Sequence, residues 1–129
     1  SGEIMNKKIS LLMTMMLVLL VGACGTSKLR VHGDVFMEGL KAGDADKTFR
    51  MLDDSLQKEI GGADGWKKWI ATRKPTQWNF HGFHVQAGGA STLKGDAVFA
   101  NGQKLDVELH FIKAGEFYKV VGVNFKKDK

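Results

Sequence analysis

The sequence predicts an α+β fold, in which N-terminal helices pack on a curved four-stranded antiparallel sheet. Apolar residues recur at helical spacing in the first half of the chain, whereas after Pro75 they alternate with polar residues. The dipeptide Asn101-Gly102 is the sequence expected at a tight type I′ hairpin between two strands. A run of helices followed by a run of strands indicates the α+β class.

Three helices are predicted before Pro75. The first covers residues 28–41 and ends at Gly43, which suits the left-handed position after a helix. The second begins with Asp44 as its N-cap, and the third runs from Trp66 to about Thr72 with Asp64 as its cap. The apolar faces of the first two helices consist of Val31, Val35, Phe36 and Leu40, and of Phe49, Leu52, Leu56 and Ile60.

Four strands are predicted after Pro75. The first covers residues 78–86, and a loop at 87–90 leads to a second strand with Leu93, Ala97 and Phe99 on one face. The third strand alternates buried and solvated positions. Its apolar face contains Leu105, Val107, Leu109 and Phe111, and that of the last strand, 117–125, contains Phe117, Val121, Val123 and Phe125.

The N-terminal segment has the anatomy of a secretory signal. Lys7 and Lys8 precede an apolar run over residues 9–21, and small residues then lead to Cys24. A membrane-spanning or buried helix is the alternative, but a span needs about 20 apolar residues. Residues 1–4 precede the natural-looking start at Met5 and are interpreted as a cloning scar.

Val21-Gly22-Ala23-Cys24 closely resembles the lipobox of bacterial lipoproteins, with Val where that family usually has Leu. The resemblance implies that Cys24 receives a diacylglycerol, that the chain is cut before it, and that a further acyl chain such as palmitate is added. Gly25, rather than Asp, implies the outer membrane, facing the periplasm. The predicted organisation is therefore a signal peptide over 5–23, a flexible lipidated tether over 24–27 and a single domain over 28–129.

Composition limits the function classes. Cleavage before Cys24 removes 23 of the 129 residues and leaves 106, enough for one domain. Cys24 is the only cysteine, so its lipidation leaves neither a disulfide nor a thiolate nucleophile. The net charge is +5, but the sequence has no stripe of basic residues interleaved with aromatic ones, which is typical of nucleic-acid binding. No nucleic-acid partner is therefore expected.

The domain resembles small bacterial lipoproteins of the nuclear-transport-factor-2-like, or cystatin-like, superfamily. The similarity comes from Leu40-Lys41-Ala42-Gly43-Asp44, from the Asn101-Gly102 hairpin, and from the ending Gly115-Glu116-Phe117-Tyr118-Lys119-Val120-Val121-Gly122-Val123. The final strand of that family usually contains the pattern Gly-x-Trp-Lys-Ile. Here Phe117-Tyr118-Lys119-Val120 lies near the Trp-Lys-Ile position, so the usual Trp is replaced. The resemblance implies a pocket between the sheet and a helix, and relatives include both enzymes and binding proteins.

Few residues suggest catalysis or metal binding. Histidines three apart on a strand face opposite sides unless a bulge intervenes, so no metal site is expected at His81 and His84. Asp53 and Asp54 are better explained by helix capping than by acid-base catalysis. No catalytic residue and no cofactor is therefore assigned. The candidate pocket residues are His81, His84, Trp69, Trp78, Phe99 and Tyr118.

The sequence thus predicts a non-enzymatic, lipid-anchored binding or assembly module of the cell envelope. Its partners would be membrane lipid through Cys24 and either a protein or a small apolar ligand. Two alternatives stay open. An enzyme would place His81 or His84 in the pocket beside a carboxylate, and a structural protein would form a homodimer through the outer face of its sheet.

Overall fold

The computed structural model describes residues 24–86, 90–115 and 117–127. The predicted cloning scar and signal peptide lie outside them. The described residues form an α+β fold, with four helices packed against one antiparallel sheet, where three helices were expected. The elements are α1 (Cys24–Ala42), α2 (Ala45–Arg50), α3 (Asp54–Glu59), α4 (Gly62–Ala71), β1 (Pro75–Val85), β2 (Ala90–Phe99), β3 (Lys104–Ala114) and β4 (Phe117–Lys127).

The first helix is longer than predicted and buries a different face. It begins at Cys24, so residues 24–27 are helical where a flexible tether was expected. Of the predicted apolar stripe, Phe36 and Leu40 are buried, but Val31 is 56% exposed and Val35 36% exposed. Leu29 and Met37 complete the buried face instead. Within the part of the chain that is described, no helix combines the length and hydropathy needed to cross a membrane.

The predicted second helix is two helices separated by a short extended segment. Between α2 and α3, the backbone N–H of Val120 donates to Met51, and the N–H of Asp53 donates to Val120, at 2.8 and 2.7 Å. Residues 51–53 thereby pair with the free edge of β4. Asp44 caps α2, as predicted, and the Asp53 carboxylate caps α3 by accepting from the Ser55 N–H. The edge pairing and the second cap explain why one periodic pattern forms two helices.

The last helix begins earlier than its predicted cap. Gly61 is the N-cap residue, with a left-handed φ of 93°, and Asp64 lies within the first turn of α4. A negative charge in the first turn of a helix is still favourable, because it faces the positive end of the helix dipole.

The strands form a meander in the order β1-β2-β3-β4. The face towards the helices, here the inner face, contains the alternating buried residues of β2 and β3, as predicted. The hairpin at Asn101-Gly102 exists, but it is not a type I′ turn. Its loop has three residues, closed by hydrogen bonds between Phe99 and Gln103 and between Gly102 and Phe99, and only Gly102 has positive φ, 85°. This is the turn-plus-bulge arrangement typical of three-residue hairpins.

Two irregularities in the sheet change which side chains face the helices. In β4 the register shifts next to Val121, so that Val120 opposes Phe111 while Gly122 opposes His110. Val120 is therefore fully buried, and the prediction that Phe117 shares the inner face is wrong, because Phe117 is 67% exposed. An extra residue in a strand reverses the alternation of side chains beyond it.

In β1 the corresponding shift occurs at His81, between the pairs Phe80 with Gly95 and Gly82 with Lys94. His84 then opposes Thr92, whose hydroxyl faces the outer side of the sheet, 3.1 Å from a ring nitrogen of His110. His81 approaches Asp96 on the same outer side, at 3.7 Å. The bulge thus places both histidines on the outer face.

The core is centred on Trp66, which is 1% exposed. Its ring stacks on Trp69 with centroids 5.2 Å apart and tilts against Phe36 at 6.0 Å. Its indole N–H donates to the hydroxyl of buried Thr48 at 2.8 Å, and that hydroxyl donates to the Asp44 carbonyl. Every polar atom of this buried pair therefore has a partner, and α4 is fixed against α2.

Candidate functional site

The candidate site is a groove of about 440 Å³ between α1, α2 and the β3–β4 hairpin. Its position follows from the fold, because the register shift in β4 and the pairing of residues 51–53 bring α2 alongside that hairpin. Two smaller depressions measure about 260 and 240 Å³. The groove is lined by Val31, His32, Val35, Lys47, Arg50, Met51, Ala114, Phe117, Tyr118 and Lys119.

The walls of the groove are mainly apolar and partly open to solvent. Val31 and Val35 lie one turn apart on α1, and Phe117 lies across from them at the start of β4. These three are among the most exposed large apolar side chains of the described chain. Exposed apolar residues gathered around one concavity, rather than scattered singly, are typical of binding surfaces.

Among the described residues that line the groove, every charged one is basic. Lys47 and Arg50 are three apart on α2 and so lie on neighbouring positions of one helix face. The ammonium group of Lys119 donates to the Arg50 carbonyl at 3.1 Å, which places a third cation at the end of that helix. Among the described residues, no ion pair involves any of these three cations. The groove therefore presents positive charge that a bound anion can neutralise.

His32 contributes a polar ring to the same groove. Its Nδ1 lies 2.9 Å from the Lys28 carbonyl oxygen, which can only accept, so Nδ1 bears the hydrogen. The ring meets Tyr118 edge-on, with centroids 5.3 Å apart. Nδ1 thus forms a hydrogen bond within α1, and Nε2 is the ring nitrogen that can bind another partner. Among the described residues, no carboxylate approaches this histidine within 4.0 Å.

The groove has the chemistry to bind an anion joined to an apolar body. The apolar walls suit a hydrocarbon or aromatic portion, and the three cations in the lining suit a carboxylate, sulfate or phosphate. No group of three or more metal-ligating side chains occurs in the described parts of the chain.

The predicted pocket residues do not form one site. Tyr118 lines the groove. Trp69 stacks on Phe125 at 5.6 Å, Phe125 meets buried Phe99 at 4.9 Å, and this aromatic cluster closes the other end of the core. Trp69 also borders the 240 Å³ depression. Trp78 is half-buried beside α1, where its indole N–H donates to Asp34 at 3.0 Å.

The two candidate histidines lie on the outer face, away from the groove. His81 borders the 260 Å³ depression there, together with Lys94, Asp106 and Glu108. Pairs of charged and polar side chains make this face polar. Two pairs join neighbouring strands, His81 with Asp96 at 3.7 Å and Lys94 with Glu108 at 3.7 Å, and one lies within β3, His110 with Glu108 at 3.1 Å.

Most residues of the groove were not singled out from the sequence. Val35 was assigned to the apolar face of the first helix, and neither His32 nor the cations of α2 were predicted to belong to a site. One feature of the sequence could have indicated the groove. The apolar stripe predicted for α1 contains Val31 and Val35 in addition to the residues that are buried in the core. When an apolar stripe is wider than the core surface it covers, some of its side chains stay exposed.

Solved structures that are similar to this chain include two DUF4783 family proteins. A DUF4783 family protein from Bacteroides ovatus has a TM-score of 0.54 and 14% sequence identity, covering 72% of this chain and 92% of its own. A DUF4783 family protein from Bacteroides uniformis has a TM-score of 0.53 and 12% identity, covering 72% and 94%. No family model matches the sequence, and no curated protein matches it. At these identities the likeness shows a shared fold.

Proposed function

We propose that this protein is a lipid-anchored binding module of the bacterial cell envelope, which uses its groove to bind an acidic compound with an apolar body. In this proposal it catalyses no reaction and needs no cofactor. The observation that supports it best is the groove itself, in which exposed apolar walls meet three cations and no described acidic residue.

The location in the envelope is supported by sequence. The signal anatomy and the resemblance of residues 21–24 to a lipobox favour acylation of Cys24, and Gly25 favours the outer membrane facing the periplasm. Two or more acyl chains give durable anchoring. We further propose that the fold belongs to the nuclear-transport-factor-2-like, or cystatin-like, superfamily; the motifs quoted above and the order of helices and strands support this proposal.

The two alternatives have less support. An enzyme with a histidine-carboxylate pair in its pocket would need a carboxylate near His32, and the described His-carboxylate pairs lie on the outer face instead. Self-association through that outer face would bury its charged cross-strand pairs, which is costly unless every charge keeps a partner.

Binding can be tested with octanoate, an acidic apolar probe that is soluble in water. We expect the full chain to bind octanoate and to discriminate against octylammonium, because the cations attract the first and repel the second. The double variant Lys47→Glu/Arg50→Glu is expected to weaken octanoate binding by about tenfold or more, since each exposed ion pair contributes up to about 1 kcal/mol. Isothermal titration calorimetry measures the affinities.

The matched control is Lys67→Glu/Lys68→Glu, which reverses two exposed lysines of α4 away from the groove. This control is expected to bind octanoate as the unmodified chain does, apart from the change in net charge. Equal weakening by both double variants would contradict a groove-specific site, and so would equal affinity for octanoate and octylammonium.

A further inference from the structure

The groove lies beside the N-terminal half of α1, the helix whose backbone starts at the proposed anchor residue, Cys24. Val31 and Val35, which line the groove, follow Cys24 by seven and eleven residues in this helix. Val31 is about 10 Å along the helix axis from Cys24. The backbone is helical from Cys24 onward, so the proposed anchor and one wall of the groove belong to the same helix. A bilayer in which Cys24 is anchored would therefore lie close to the groove.

We propose that the groove face docks on the bilayer in which the protein is anchored and binds the headgroup of an acidic phospholipid. The docking surface consists of Val31, Val35 and Phe117, which would enter the interface, and of Lys47, Arg50 and Lys119, which would contact phosphate. This inference rests on the proposed lipid anchor and on the proposed acidic apolar ligand, and it identifies the source of that ligand as membrane lipid.

Charge complementarity supports a lipid surface as the occupant. Exposed Lys28 lies on the same side of α1, one turn before His32, and adds a fourth cation at this face. Clustered cations beside exposed apolar side chains are the combination by which peripheral proteins bind anionic membranes. The outer face of the sheet, in contrast, combines cations with Asp96, Asp106 and Glu108, which an anionic surface would repel.

Docking can be measured with a nitroxide spin label at position 117. Phe117→Cys is labelled in the processed, acylated chain that starts at Cys24, in which lipid blocks the Cys24 thiol, and this chain is reconstituted in vesicles. Vesicles of phosphatidylcholine with phosphatidylglycerol are compared with vesicles of phosphatidylcholine alone. In the acidic vesicles, the label is expected to become accessible to oxygen and protected from a water-soluble nickel chelate. The control is Phe83→Cys, because Phe83 is also exposed but lies on β1, outside the groove.

The charge variant makes the test specific. Lys47→Glu/Arg50→Glu is expected to lower the ratio of docked to undocked molecules about thirty-fold in acidic vesicles, at about 1 kcal/mol for each cation near the surface. The matched Lys67→Glu/Lys68→Glu variant should stay docked. Equal accessibility at positions 117 and 83, or docking that is independent of phosphatidylglycerol and of the two cations, would overturn the inference.

The outcome separates this inference from the proposed function. If the label at position 117 stays in water while the same chain still binds octanoate through Lys47 and Arg50, the docking inference is wrong and the binding function stands. If octanoate does not bind either, both are wrong. Protection of the label from both oxygen and the nickel chelate would indicate a protein partner over the groove and would also overturn lipid docking.

Discussion

Replacing Trp66 by alanine is expected to lower the free energy of unfolding by about 3 to 5 kcal/mol, as large-to-small changes at fully buried aromatic residues do. The indole is 1% exposed, stacks on Trp69 and contacts Phe36, so its removal leaves a cavity between α1 and α4. It also removes the hydrogen bond to Thr48. A single domain has a total stability of about 5 to 15 kcal/mol, so this loss is a large fraction of it.

Urea unfolding followed by circular dichroism measures this loss. Trp78→Ala is the matched control, because its half-buried indole forms a hydrogen bond with Asp34 in a more exposed position. We expect this control to lose about 1 to 2 kcal/mol, nearer the average for point mutants. Trp66→Phe keeps most of the apolar contact and tests the hydrogen bond, worth about 1 kcal/mol. If Trp66→Ala cost no more than Trp78→Ala, the core would not be centred on Trp66.

Replacing Cys24 by serine is expected to abolish acylation and processing. The lipobox resemblance implies that cleavage before residue 24 follows modification of the cysteine sulfur, and serine has no sulfur. The variant should therefore keep its N-terminal segment, incorporate no labelled palmitate and lose its durable anchor, for which two or more acyl chains are needed. Intact-mass spectrometry of the chain expressed in a bacterial host measures both the cut and the lipid.

The matched control for that experiment is Val21→Leu, which gives the first lipobox position the residue usual in that family. This control should be processed and acylated at least as well as the unmodified chain. Cleavage of the Cys24→Ser chain before residue 24 would show ordinary signal-peptide processing and would contradict the lipoprotein assignment.

The features of the fold that depend on local pattern could be predicted from the sequence. The change from helical to alternating periodicity around Pro75, the cap at Asp44 and the hairpin at Asn101-Gly102 are each encoded by a few neighbouring residues. The break between α2 and α3 could not be predicted in this way. It depends on hydrogen bonds between residues 51–53 and Val120, nearly 70 positions later in the chain.

The candidate site was harder to predict because two bulges decide which side chains face the helices. Alternation alone cannot show where an extra residue occurs, so His81 and His84 became pocket candidates although both lie on the outer face. The same limit applies to β4, where Tyr118 and Val120 rather than Phe117 face the helices. The groove combines α1, α2 and the β3–β4 hairpin, which only the three-dimensional structure brings together.

The most direct test of the groove as a binding site is a nuclear magnetic resonance titration of the isotopically labelled full chain with octanoate. We expect the largest shifts of backbone amides to cluster at residues 31–35, 47–51 and 117–119, and Lys47→Glu/Arg50→Glu to abolish them. Shifts confined to the outer-face depression around His81 and Glu108, or absent from the groove at saturating octanoate, would contradict it.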